Sequence, residues 1–281
     1  MKDDRSGELA ERSSQDWPVG IVGWDELTRS KTLVLGIGGG SDGITAAAIC
    51  HALRALGADT SVVAGNTKRR AEPDWHMSSA RIGEIPAKPL ERTGRGLHGG
   101  TGLDRMLAMD GERMLGVVCE RGVNRKELAA ELAALEFEHV IAVDTGGDVL
   151  ARYVSSRIGR GRDLQMLATL EMAYPDDLTL LVVAPGADGE STREQLVERA
   201  RAAHALGRWR GVASIEPLIR TYRDHAASIP SKRTPSIILE AWSKRPLPVG
   251  HQTTIQRERY PTLPTSWLGQ VLVIDASRIE T

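Results

Sequence analysis

Carboxylates set beside glycines recur at three points of the 281-residue chain: GGGSDG (38–43), DTGGD (144–148) and PGADGE (185–190). They supply Asp42, Asp144, Asp148, Asp188 and Glu190. Carboxylates so placed can coordinate a cation, hydrogen-bond sugar hydroxyls or move protons. The glycines let the backbone approach a ligand closely and adopt positive φ. Asp144 and Asp148 bracket Gly146 and Gly147, so the turn can fold both carboxylates toward one point. With Asp42 they form the expected metal set. The oxygen donors suit Mg²⁺ or Mn²⁺, and no His-rich set argues for zinc. Asp144, Asp148, Asp188 and Glu190 are the expected catalytic acids, with Asp188 or Glu190 as general base.

Around these acids, Gly38, Gly39, Gly40, Ser41, Asp42, Thr145, Gly146 and Gly147 are the expected substrate-binding residues. Lys68 and Arg69 follow a strand directly and can meet a phosphate or carboxylate. Glu120, at another strand end, is a candidate for a polar contact. Each motif alone has a simpler reading. A glycine turn after a strand is often only a connection, and Asp42 can be a helix N-cap. Three such motifs at equivalent strand ends argue for a site. Cys119 and His98 carry no assigned role: one reads as a buried thiol, the other as an incidental loop histidine.

The elements that must position these residues alternate. KTLVLGI (31–37) reads as a buried strand and SDGITAAAICHALRALG (41–57) as a helix stopped by Gly57. TSVVAG (60–65) reads as the next strand, completing a βαβ unit. RMLGVVCE (113–120) is a strand, NRKELAAELAALE (124–136) a helix and EHVIAVDTGGD (138–148) a strand with its turn. A helix over 162–172, a strand over 178–186 and a helix over 191–207 with a Ser191 cap follow. Beyond 211 the pattern weakens. PSIILEAW (235–242) reads as helix or strand, and QVLVIDA (270–276) as a last strand.

This order predicts an α/β fold with a mostly parallel, doubly wound, Rossmann-like sheet covered by helices on both faces. In such sheets ligands collect beyond the carboxyl ends of the strands. The expected organisation is a polar N-terminal extension over 1–29 and one domain over 30–281. Residues 66–102, rich in Gly, Pro, Lys and Arg, read as an irregular excursion lying over the same sheet edge.

Several functions are disfavoured. Gly38, Gly40 and Gly43 fit G-x-G-x-x-G spacing, but Asp42 inside the loop would face a pyrophosphate, and the next strand ends without an acid for ribose. The chain has no NAD, flavin or P-loop signature. A formal net charge of −1 and a pI of about 6.7 supply no field for nucleic acid or anionic membrane. Aromatics are only 4%, too few for base-stacking platforms. The two cysteines make no disulfide framework, and no apolar run approaches the roughly 20 residues a membrane helix needs. A cytoplasmic location is expected, with a small-molecule substrate, no nucleic-acid or membrane partner, and room for a homo-oligomer.

The segments LGIGGGSDGITAAAICHALRALGAD, HVIAVDTGGDVL, VVAPGADGESTREQLVERA and VLVIDASRI resemble the DUF1152 family, an uncharacterised group of archaea and bacteria. The resemblance spans roughly residues 30–276, and the DTGGD and PGADGE segments are its most specific parts. Ser41 departs from it, standing where the family's glycine run is expected to continue. The resemblance implies fold and site position rather than chemistry. The resulting expectation is a hydrolase or lyase acting on a small phosphate- or carboxylate-bearing metabolite. The alternative is a nucleotide- or metabolite-binding protein without catalysis.

Overall fold

The computed structural model describes residues 16–38, 40–58, 62–67, 75–85, 114–119, 122–154, 161–188, 191–224, 229, 234–243 and 265–277. Its centre is a nine-stranded sheet. The strands are β1 (Thr32–Gly36), β2 (Val62–Thr67), β3 (His76–Met77), β4 (Ile82–Glu84), β5 (Met114–Val118), β6 (His139–Thr145), β7 (Leu178–Val183), β8 (Trp209–Ser214) and β9 (Gln270–Asp275). They lie in the order β3-β4-β5-β2-β1-β6-β7-β9-β8. The five central strands, β5, β2, β1, β6 and β7, are parallel. Numbered among themselves in chain order they run 3-2-1-4-5, which is the doubly wound order. The topology reverses between β1 and β6, and in sheets of this order ligands bind beyond the carboxyl ends of the strands at that switch point.

The central strands are apolar throughout because both faces are covered. Leu33, Leu35, Val140, Ala142, Leu180 and Val182 face one core, while Val34, Val63, Ile141, Val143, Leu181 and Val183 face the other. The second core is closed by α1 (Gly40–Ala55), α5 (Glu216–Asp224) and α6 (Thr234–Ser243). The first is closed by α2 (Arg125–Ala133), α3 (Arg162–Ala173) and α4 (Arg193–Ala205). Local signals start these helices: the Asn124 side chain accepts the Lys126 amide, and Thr192 forms a capping box with Gln195. The cap of α4 is therefore Thr192 and not the expected Ser191.

Four points differ from the sequence reading. Residues 75–85, expected to be irregular, form β3 and β4, which extend the sheet antiparallel beside β5. Trp75 anchors this hairpin: it is buried, and a Cβ at Gly116 would lie 2.0 Å from its ring. The last strand, β9, is antiparallel and inserts between β7 and β8. The weakly patterned region beyond 211 contains the second half of β8 and all of α5, and PSIILEAW is helical. Finally, residues 16–28 are not a polar extension. Trp17, Val22, Trp24 and Leu27 are buried in the two cores, and Trp17 lies 4.3 Å, centroid to centroid, from Trp267. Among the described residues no helix is long and apolar enough to cross a membrane.

Candidate functional site

The switch point between β1 and β6 is built from their carboxyl ends. β1 ends at Gly36, whose missing side chain lets α1 turn directly over the strand: a Cβ there would lie 2.5 Å from the backbone of Asp42 and Gly43. This close approach drives the first turn of α1 inward and carries Asp42 with it. Asp42 is 4% exposed. Its Oδ1 accepts the amide of Thr145, the last residue of β6, at 3.0 Å. Asp144, one residue earlier and 2% exposed, accepts the Val149 amide at 3.4 Å. Gly146 and Gly147 follow with φ of +127° and +104°, values that only glycine adopts without strain.

A third carboxylate comes from α3. Asp163, half-buried in the first turn of that helix, offers an oxygen to the same point as Asp42 and Asp144. The three oxygens lie within 4.8 Å of one another. Oxygens around one Mg²⁺ or Ca²⁺ span up to about 4 to 5 Å, so a single hard cation can bridge this set. Gly38 forms the floor, where a Cβ would collide with Asp42 Oδ2 at 2.1 Å and Asp163 Oδ2 at 2.7 Å. Arg162 Nε stands 3.6 Å from Asp163 Oδ1, an ion pair at the rim.

The electrostatics follow from burial and like charge. The carboxyl of Asp42 is held well above the ordinary carboxylate range, first by burial, then by the Asp163 and Asp148 charges, against the lowering effect of the Thr145 hydrogen bonds. Asp144 is raised by burial and then by Asp148, Asp42, Asp163 and Asp188. Five aspartates thus act on one another here. Buried carboxylates this close are neutralised by protons or by a bound cation.

The sequence-predicted residues divide into three groups. Asp42 and Asp144 meet in the cluster. Asp148 and Asp188 are half-buried at its margin, where their charges reach Asp144. Asp188 lies against Gly146, where a Cβ would come within 2.0 Å of Oδ2. The carboxylates that converge differ from the expected set: Asp163, and not Asp148, joins Asp42 and Asp144. Gly38 lines the floor, Gly40 and Ser41 open α1, and Thr145, Gly146 and Gly147 form the β6 turn. Gly39, Lys68, Arg69, Glu120 and Glu190 lie outside the described residues, as does His98. Cys119 is a buried thiol whose pKa is pushed up by burial, against the lowering effect of nearby Arg162.

Asp163 and Arg162 were not found from sequence. Their signal is faint: in GRGRD (159–163) a glycine-rich stretch of sequence leads into an acid in the first turn of a helix, as GGGSD (38–42) does at Asp42.

Comparison with known proteins adds a family and no activity. A family model described as "Protein of unknown function (DUF1152)" matches residues 99–232. Asp144, Asp148, Asp163 and Asp188 fall inside the matched span, and Asp42 falls outside it. No curated protein and no solved structure matches the chain.

Proposed function

We propose a function from the site itself, because the DUF1152 family, whose model matches residues 99–232, carries no activity in its description. The protein is a divalent-cation-dependent enzyme of hydrolase or lyase type. Its substrate is a small metabolite bearing phosphate or carboxylate. The observation that carries this reading is the convergence of Asp42, Asp144 and Asp163 within 4.8 Å at the switch point of a doubly wound sheet.

The residues sort by environment. Asp42, Asp144 and Asp163 hold Mg²⁺ or Mn²⁺, whose charge replaces the protons that burial otherwise retains on Asp42 and Asp144. A hard cation held there polarises a phosphoryl or carbonyl oxygen and lowers the pKa of bound water. Asp188, less buried and pressed against Gly146, is the general base. Arg162, beside Asp163, meets the substrate anion. Gly38 leaves the floor of the cluster without a side chain, so its backbone lies directly under the Asp42 and Asp163 carboxylates.

The test is direct. Mn²⁺ titrated into the protein and followed by electron paramagnetic resonance should show saturable binding, lost in Asp163→Asn. A panel of phosphorylated and carboxylated metabolites, assayed with and without Mn²⁺, should contain a substrate whose turnover requires the ion. Saturable metabolite binding without turnover, indifferent to Mn²⁺, would replace this reading with a binding protein.

A further inference from the structure

Next to the cluster, three buried hydroxyls are joined. The Tyr222 hydroxyl, on α5, donates to Thr45 Oγ1 at 2.9 Å. The Thr145 hydroxyl donates to the same oxygen at 3.0 Å. Thr45 donates in turn to the Ser41 carbonyl at 2.9 Å. Thr45 therefore uses its single donor and both acceptor positions. The relative exposures of Tyr222, Thr45 and Thr145 are 0%, 0% and 4%, so water does not compete for these bonds.

The chain ends on a proposed metal ligand. Thr145 is fixed by its side chain to Thr45, and its amide donates to Asp42 Oδ1. Ser41, whose carbonyl Thr45 holds, directly precedes Asp42. Both the backbone that carries Asp42 and the amide that orients its carboxylate are thus tied to one hydroxyl, and Tyr222 fixes that hydroxyl. Burial and the neighbouring Asp42 charge push the Tyr222 phenol far above its ordinary value, so it remains a donor at every physiological pH.

We infer that Tyr222 is a positioning residue for the carboxylate cluster, acting through Thr45 and Thr145 to hold Asp42 in the geometry that accepts a cation. The inference deepens the proposed metal site and rests on it for its functional meaning. Its physical content, the coupling of Tyr222 to the Thr145–Asp42 bond, stands apart from the metal. Residues that orient ligands from outside the coordination sphere typically contribute 10- to 100-fold to metal affinity. A hydroxyl two steps removed belongs at the lower end of that range.

The experiment compares wild type with Tyr222→Phe, Thr45→Val and Thr45→Ser. Tyr222→Phe keeps the ring in its core position and removes only the donor. The first readout is amide hydrogen exchange of the metal-free protein. In Tyr222→Phe and Thr45→Val the Thr145 amide should exchange about tenfold faster relative to the Val143 amide of the same strand, and Thr45→Ser should restore the wild-type ratio. The second readout is Mn²⁺ affinity, expected to weaken about tenfold in the first two variants. Exchange at Thr145 that is unchanged, or that accelerates only in step with Val143, overturns the inference, because a merely structural role loosens the strand as a whole. Should wild type bind no Mn²⁺ while Thr145 loosens selectively, the coupling holds and the metal reading falls. Unchanged Mn²⁺ affinity despite selective loosening would show that the tether does not position Asp42 for a cation, and would overturn the inference too.

Discussion

The backbone of Gly146 lies directly against the carboxylate of Asp188. A Cβ at residue 146 would come within 2.0 Å of Oδ2 and 2.1 Å of Cγ, and the backbone there holds a φ of +127°. The end of β6 and the turn after β7 are therefore packed with no room for a side chain between them. Both carry candidate catalytic groups, so the glycine sets the distance between Asp144 and Asp188.

Gly146→Ala should then carry two costs. The left-handed backbone is strained for alanine by about 1–3 kcal/mol. The Asp188 carboxylate must also swing aside, which its position at the margin permits. Chemical denaturation should show a loss of that order, and Mn²⁺-dependent turnover should fall further than stability does. An alanine variant with wild-type stability and turnover would remove Gly146 as a spacer.

Asp144→Asn should disable the site while sparing the fold. The amide matches the carboxylate in volume and can still accept the Val149 amide, but it removes one of the mutually repelling buried acids. Melting curves should show a metal-free variant at least as stable as wild type. The Mn²⁺-induced rise expected of wild type should be missing. Destabilisation of the variant, with no metal-dependent rise in wild type, would mark a structural turn.

His139 should set the acid limb of stability. It is 2% exposed at the start of β6, with Nε2 3.0 Å from Thr179 Oγ1, and its pKa is lowered to about 4 by burial, against the raising effect of Asp177 and with smaller lowering contributions from Arg29 and Arg210. The unfolded chain takes up this proton near 6.5, the folded protein near 4. Stability from this group is therefore complete above about 6.5 and lost as pH falls through that window, by up to about 3 kcal/mol. Denaturant midpoints from pH 4 to 7 should slope upward in wild type and lose that slope in His139→Gln. An identical slope in the variant would assign the acid limb elsewhere.

Asp42 and Asp144 should act with the opposite sign. Their folded values are raised, so the native state holds protons that the unfolded chain releases above about 3.8. Metal-free stability from these groups is full below that value and falls as pH rises toward the raised values. Mn²⁺ competes with the same protons, so the thermal shift it produces should grow with pH. The His139→Gln background isolates the effect. A Mn²⁺ shift that is flat or shrinks with pH would separate the cation from these carboxylates.

Trp17→Ala should show that the N-terminal segment belongs to the core. Trp17 is 4% exposed against Trp267 and Trp209, and its Nε1 donates to Gln270 at 2.7 Å. Truncating a buried tryptophan typically costs about 3–5 kcal/mol. A loss under about 1 kcal/mol would return residues 16–28 to the status of an extension.

The sequence by itself determined the sheet's centre. β1, β6 and β7 are continuous apolar runs because both faces of a parallel sheet are covered, and each run ends in glycine and aspartate at the edge where ligands bind. Asp42, Asp144, Asp148 and Asp188 were legible for that reason: a strand end is a local feature, and its acid follows within a few residues. Residues 16–28 and β8 were not, because their burial depends on partners far away in the chain. Trp17 meets Trp267, and Trp24 donates to the Ser214 carbonyl 190 residues on. Asp163 and Tyr222 belong to the same class. Each sits on a helix whose own sequence says nothing about which strand end it reaches. Only the order β5-β2-β1-β6-β7 brings α3 and α1 to one switch point and puts α5 next to it. Periodicity fixes which face of an element is buried, but not which element lies against it; that was decided by packing nine strands and their helices around two cores.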